Sequence, residues 1–263
     1  MDTLGVFLVQ RSSSLDPAEN RAALDMVKEI CSGSPPAHLV VFPEVFARDF
    51  GKPGSDVGAY AEALDGPFVT RLAELAAAHD VALVAGMFEV SDDPARPFNT
   101  LVVVDPAGLR ASYRKIHLYD SFGYRESDRL SAGALEPVVV DVRGWQVGLM
   151  TCYDLRFPEL ARALVDRGAE LLVVPAAWVA GDRKVDHWRT LVRARAIENT
   201  VYVAAVGQPG PRYCGHSMIV GPDGDVLVEV GEDGDPDGAF SGVSRPHLEA
   251  ARGTNPSLAN RRL

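Results

Sequence analysis

Three side chains able to do chemistry stand at or just past apolar runs: Glu44 after Val-Val-Phe-Pro, Lys115 within Tyr-Arg-Lys-Ile-His-Leu, and Cys152 after Val-Gly-Leu-Met-Thr. A thiol attacks carbon only as thiolate, so a carboxylate within hydrogen-bond reach can turn it into a nucleophile. An ammonium beside the pair would stabilise an oxyanion as it develops on the attacked carbonyl. In α/β sheets ligands bind at the carboxyl ends of strands, where these three groups could converge. Taken singly, each has a plainer reading. A lone cysteine is commonly a small buried hydrophobe, and Glu44 or Lys115 a solvated charge.

Convergence needs a scaffold, and the apolar pattern describes one. Residues 4–9 read as a strand, Asp16-Pro17 as a cap and first turn, and residues 18–30 as a helix. Residues 39–42 form a short β-branched run stopped by Pro43-Glu44; residues 67–79 carry Phe68, Leu72, Leu75 and Ala76 on one helical face and feed a strand at 81–88. Two hairpins follow, 100–104 with 111–113 and 138–142 with 146–150, so the sheets must be mixed. Beyond Cys152 come a helix at 158–167, a strand at 171–174, a helix at 186–199, a strand at 201–206 and a hairpin turning at Pro222-Asp223-Gly224. About a dozen strands, with no linker of domain-separating length, fit an α/β chain in one domain spanning 1–263, a four-layer sandwich with two mixed sheets between helices. The Gly/Asp-rich stretch 231–238 reads as a surface loop, and residues 252–263, without an apolar period, as a C-terminal arm.

Composition narrows the function. With 26 basic and 36 acidic side chains in 263 residues, the net charge of −10 repels phosphate backbones, so no nucleic acid partner is expected. The opening ten residues lack a basic n-region, and their apolar run is too short for a signal peptide or membrane span, so a cytoplasmic protein without membrane contact is expected. Cys31, Cys152 and Cys214 fit neither a disulfide framework nor a clustered zinc site. The six histidines include no metal-motif pair, so none is expected to be a metal ligand.

Phe42-Pro43-Glu44, Arg114-Lys115-Ile116-His117-Leu118 and Cys152-Tyr153-Asp154-Leu155-Arg156-Phe157-Pro158-Glu159 together resemble the three signature segments of the nitrilase superfamily, in its Nit-type amidase branch. Pro175-Ala176-Ala177-Trp178, the run Arg193 through Asn199, and Gly215-His216-Ser217 extend the likeness, which spans residues 4–243. The resemblance implies an αββα sandwich that forms a homodimer, and a triad of Glu44, Lys115 and Cys152. A further family glutamate, which precedes a serine, corresponds to Glu126 before Ser127.

The implied reaction hydrolyses a small carboxamide to carboxylate and ammonia through a cysteine thioester. Glu44 serves as base and then acid, Lys115 and the Tyr153 backbone N–H hold the oxyanion, and Glu126 orients Lys115 or the attacking water, so no step calls for a metal or other cofactor. An N-carbamoyl amidohydrolase or a nitrilase is the alternative within enzymes, although true nitrilases typically place Trp-Glu after the cysteine, where this chain has Tyr153-Asp154. A catalytically silent scaffold is the alternative of another class, and the joint presence of Glu44, Lys115 and Cys152 argues against it. A cysteine phosphatase needs an Arg six residues past its Cys, where Pro158 stands.

Around this centre, Tyr153, His117, Trp178 and Arg183 are candidate substrate contacts; Arg183, with Lys184, is a candidate carboxylate anchor and His117 has a structural hydrogen bond as its plainer role. Arg156 and Glu159 read as an internal ion pair, Arg193 and Arg195 as packing or interface residues, and residues 48–60 as a lid.

Overall fold

The computed structural model describes residues 1–233 and 238–262. Its first half runs β1 (Thr3–Leu8), α1 (Pro17–Ala23), α2 (Val27–Cys31), β2 (Leu39–Val41), α3 (Pro67–His79), β3 (Ala82–Glu89), β4 (Phe98–Asp105), β5 (Gly108–Arg114) and a small hairpin of β6 (Asp120–Ser121) and β7 (Tyr124–Arg125). Its second half runs β8 (Val139–Val142), β9 (Trp145–Leu149), α4 (Pro158–Asp166), β10 (Leu171–Ala176), α5 (Lys184–Asn199), β11 (Tyr202–Gly207), β12 (Met218–Val220), β13 (Val226–Glu229), β14 (Ala239–Ser244), α6 (Arg245–Thr254) and α7 (Ser257–Asn260).

Two six-stranded sheets result, in the orders β14-β1-β2-β3-β4-β5 and β13-β12-β11-β10-β9-β8. Each is parallel at its centre, β1-β2-β3 and β9-β10-β11, and antiparallel toward its edges. Side-chain alternation assigns the layers. Leu4, Val6, Leu39, Val41, Val84, Leu101 and Val103 turn inward to the second sheet, while Val40, Leu83, Val102 and Val104 turn outward to Leu24 and Val27 and to Phe68 and Leu72 of α3. Leu160, Leu164, Trp188, Val192 and Ala196 of α4 and α5 join the core of the second sheet. The layers are therefore helix, sheet, sheet, helix.

Several boundaries differ from the sequence reading. The helix expected at 18–30 is split by a 3-10 turn at Leu24–Met26, and α5 begins at Lys184, two residues early. Residues 252–262 do not form a free arm: α6 continues to Thr254, Leu258 of α7 packs on the core, and Arg261 pairs with Asp166 at 2.8 Å. Leu258 is a single apolar anchor, too little to register as a period. Of the loop expected at 231–238, residues 231–233 are exposed and 234–237 lie outside the described residues.

The stretch 48–60, expected as a lid, forms part of the cavity wall and is tied down between Arg48 and Ser55. Arg48 and Asp49 are buried; Asp49 accepts from Arg212 at 2.6 Å and from Tyr213 Oη at 2.7 Å. Arg129 donates to the carbonyls of Phe50 and Ser55, and Arg212 to that of Gly51. Backbone held by charged donors on both sides resists opening. Among the described residues no helix is long and apolar enough to cross a membrane.

Candidate active site

Each reactive side chain follows the end of a strand, and the three strands come from both sheets. The chain leaves β2 through Pro43 and crosses β3 closely: a Cβ on Gly86 would lie 2.3 Å from the Val45 nitrogen, so only glycine lets this backbone pass. Lys115 directly follows β5, its N–H donating to the Asn99 carbonyl at 2.8 Å and its carbonyl accepting from Gly133 at 2.9 Å. Past β9, Cys152 opens a 3-10 turn, Cys152–Arg156, with its own φ at +47°. A left-handed conformation at a non-glycine residue costs about 1–3 kcal/mol and persists only where surrounding bonds enforce it. Here the Asp154 N–H donates to the Thr151 carbonyl, and the Asp154 carboxylate accepts the Thr151 N–H, both at 2.9 Å.

Glu44, Lys115, Glu126 and Cys152 meet at the floor of one cavity of about 830 Å³. Lys115 is 2% exposed and its Nζ lies 2.9 Å from Glu44 Oε1 and 2.9 Å from Glu126 Oε2. The second Glu44 oxygen accepts the Ala177 N–H at 2.7 Å, and the second donor to Oε1 is Asn99 Nδ2 at 2.8 Å. Glu126 is held from its own loop by the Tyr119 N–H at 2.6 Å.

Burial works against the Lys115 charge, but Glu126 and then Glu44 outweigh it, so the ammonium is held well above its usual range. For Cys152, burial and then the Glu44 charge push the thiol well above the usual cysteine range, against a smaller opposing pull from Lys115. Burial also raises Glu126, with Lys115 opposing. The centre thus favours the protonated thiol of Cys152 and the charged form of Lys115, side by side with Glu44. Such an arrangement can release the thiol proton to the carboxylate as a carbonyl carbon is attacked. Among the described residues no group of three or more His, Cys, Asp or Glu side chains is placed to hold a metal ion.

Comparison with known proteins decides the family. The chain matches the carbon-nitrogen hydrolase family over residues 8–235. It belongs to that family. Deaminated glutathione amidase from Escherichia coli O157:H7 is 40% identical over 225 residues, which are 85% of this chain and 84% of the relative. A CN-hydrolase superfamily protein from Xanthomonas campestris, solved with an arsenic adduct in its active site, superposes with a TM-score of 0.87 at 31% identity, covering 100% of this chain and 98% of that one. An amidase from Nesterenkonia sp. AN1, solved as a glutamate-to-glutamine mutant with acrylamide added to its active-site cysteine, superposes at 0.78 with 31% identity, covering 95% and 97%. This carbon-nitrogen hydrolase is therefore an enzyme with amidases among its relatives, and its α/β architecture of mixed sheets is theirs.

The walls of the hydrolase's cavity correct part of the sequence reading. Tyr153 and Trp178 line it, together with Tyr119, Phe122 and Lys184. Arg183 does not: its own φ of +57° at the start of α5 turns it to solvent, where it pairs with Asp186 at 2.6 Å. Lys184 takes the inward place. Its Nζ lies 3.2 Å from Tyr119 Oη and 3.9 Å from the Phe122 ring centroid, and burial, then Arg156, lower its pKa. His117 is also absent from the cavity wall, because Asp154 Oδ1 holds its Nδ1 at 2.7 Å and Phe157 stacks on its ring at 3.8 Å.

Arg156 makes no ion pair with Glu159; it lies over the Trp178 ring at 4.9 Å and reaches His187 at 3.4 Å. Arg195 is buried and donates twice to the Leu155 carbonyl on the nucleophile's turn, and Arg193 donates to the Gly224 carbonyl. Besides Tyr119 and Phe122 of the cavity wall, two buried residues behind it escaped sequence reasoning. Asn99, fully buried, reaches Glu44 at 2.8 Å and Glu126 at 3.5 Å, and a polar, poor strand former in the run Phe-Asn-Thr-Leu-Val-Val-Val was its only signal. Asp154 was visible inside a signature segment, but nothing local indicated what its carboxylate would hold.

Proposed function

We propose that this enzyme hydrolyses a small linear carboxamide to carboxylate and ammonia through a thioester on Cys152. The observation that carries the reading is the Lys115 ammonium clamped 2.9 Å from both Glu44 and Glu126 at the cavity floor that Cys152 shares. As the sulfur attacks the amide carbon, its proton passes to Glu44, and the oxyanion is stabilised by Lys115 Nζ and the Tyr153 N–H. Collapse breaks the C–N bond, with Glu44 returning the proton so that ammonia leaves. Glu44 then takes a proton from water, which attacks the thioester; the second oxyanion collapses and the thiolate recovers its proton from Glu44. Glu126 keeps Lys115 charged and aimed. One carboxyl group thereby serves both half-reactions.

The test is ammonia release from a panel of short primary amides, matched nitriles and N-carbamoyl compounds. Turnover is expected for the amides. A silent scaffold would release nothing from any of them, and preferential turnover of nitriles or carbamoyl compounds would replace the amidase reading with that alternative.

For the substrate's far end we infer a carboxylate, as in short linear amides of dicarboxylic character, with Lys184, of the pair Arg183 and Lys184, in the anchoring role. Lys184 is a largely buried cation, and among the described residues it has no carboxylate within salt-bridge distance, so an anion from outside would complete its bonding. Lys184→Met should cost roughly tenfold to a hundredfold in kcat/KM for an amide with a distal carboxylate, and less than about threefold for a neutral amide of matched length. Equal losses on both would remove Lys184 from specificity. The same proposal takes residues 1–263 as one catalytic unit in the cytoplasm, and as a homodimer on the strength of the family resemblance.

A further inference from the structure

The Asp154 carboxylate, fully buried, collects four hydrogen bonds from two directions. One pair comes through Oδ2, from the Thr151 N–H at 2.9 Å and from Tyr113 Oη at 2.7 Å. The other comes through Oδ1, from the His117 N–H at 3.1 Å and His117 Nδ1 at 2.7 Å. A carboxylate oxygen can only accept, so Nδ1 carries the hydrogen. Burial and the Asp154 charge raise Tyr113 well above its ordinary value, which keeps its hydroxyl protonated and donating.

The placement of these donors is what matters. Tyr113 and His117 lie two residues before and two residues after Lys115, and Thr151 lies immediately before Cys152. Asp154 therefore ties both flanks of the lysine, on the first sheet, to the turn of the cysteine, on the second. Apolar packing has no direction, whereas the three bonds from Tyr113 and His117 to the buried Asp154 fix the lysine's strand end against the cysteine's turn, and the Ala177 N–H on Glu44 adds a further polar link between the two sides.

We infer that Asp154, with His117 and Tyr113, is a positioning brace that sets the Cys152 sulfur against the Lys115 ammonium across the two sheets. The inference rests on the thioester reading above and adds residues that never touch substrate. Because catalysis needs the oxyanion donor and the nucleophile in fixed relation, slackening the brace acts on the chemical step more than on binding.

The experiment uses His117, whose side chain is partly exposed, since Asp154 variants risk misfolding. His117→Phe keeps an aromatic ring against Phe157 and removes the Nδ1 donor; His117→Asn removes the ring and keeps a donor at nearly the same reach. In His117→Phe, kcat for ammonia release should fall at least about tenfold with KM within about twofold, and iodoacetamide should alkylate Cys152 more slowly. His117→Asn should restore kcat to within about threefold of wild type. Wild-type kcat in His117→Phe overturns the brace alone, as does a loss shared by both variants in proportion to their melting temperatures. Wild-type activity that survives complete alkylation of Cys152 overturns the thioester reading, and the brace with it.

Discussion

Cys152→Ala and Cys152→Ser each lose all but about a hundredth or less of wild-type ammonia release, with the melting temperature close to wild type. Alanine removes the only atom that can form the thioester. Serine keeps an atom there but asks Glu44 to deprotonate an alcohol, which is harder to ionise than a thiol and forms a different ester. Neither change disturbs the fold much, because the Cys152 turn is held by backbone bonds and by Asp154 and not by the sulfur. The remaining cysteines offer no substitute: neither Cys31 nor Cys214 lines the cavity that holds Glu44, Lys115 and Cys152. Activity above about a hundredth of wild type in either variant would take Cys152 out of its role.

Glu44→Gln is expected to lower kcat by about a hundredfold to ten-thousandfold, the range spanned by a lost general acid–base. The carboxylate meets donors on both oxygens, Lys115 and Asn99 on Oε1 and the Ala177 N–H on Oε2. An amide matches one side only. With its oxygen toward Lys115 and Asn99, its NH2 faces the Ala177 N–H, a donor against a donor that costs about 1–3 kcal/mol. A lower melting temperature should therefore accompany the kinetic loss, while Lys115 keeps Glu126 as counter-ion at 2.9 Å and the fold survives. Stopped-flow ammonia release read beside a thermal melt separates the two effects. A Gln variant that melts lower yet turns over at wild-type rate would move the base elsewhere.

The buried strands were legible because an apolar run of four to eight residues depends only on neighbours in the chain. The boundaries of α3 at Pro67 and His79 follow from a proline start and a steady face of Phe68, Leu72, Leu75 and Ala76. The edges of legibility are equally physical. The helix expected at 18–30 has an apolar face, yet the chain tightens into a 3-10 turn at Leu24–Met26, a choice between two hydrogen-bond registers that the apolar pattern cannot distinguish. The wall at 48–60 looked mobile because it is polar and glycine-rich. It is held by Arg129 and Arg212, distant in sequence.

What the sequence alone determined is where the candidate reactive side chains stand: Glu44, Lys115 and Cys152 each sit within a few residues of a strand end, and strand ends are local properties. Tertiary structure decided everything that depends on direction. Arg183 and Lys184 are neighbours of equal charge, and the left-handed turn at Arg183, just before α5, sends the first to solvent and leaves the second at the cavity wall. His117 lay two residues from Lys115 and could have faced substrate; the Asp154 carboxylate, from the other sheet, draws it away. Asn99, on β4, reaches both Glu44 and Glu126 because the chain leaving β2 crosses β3 at Gly86 and the Lys115 that binds both carboxylates follows β5, the two strands beside β4. Sequence names the groups that can react. Hydrogen bonds between segments far apart in the chain decide their orientation, and no local pattern carries that information.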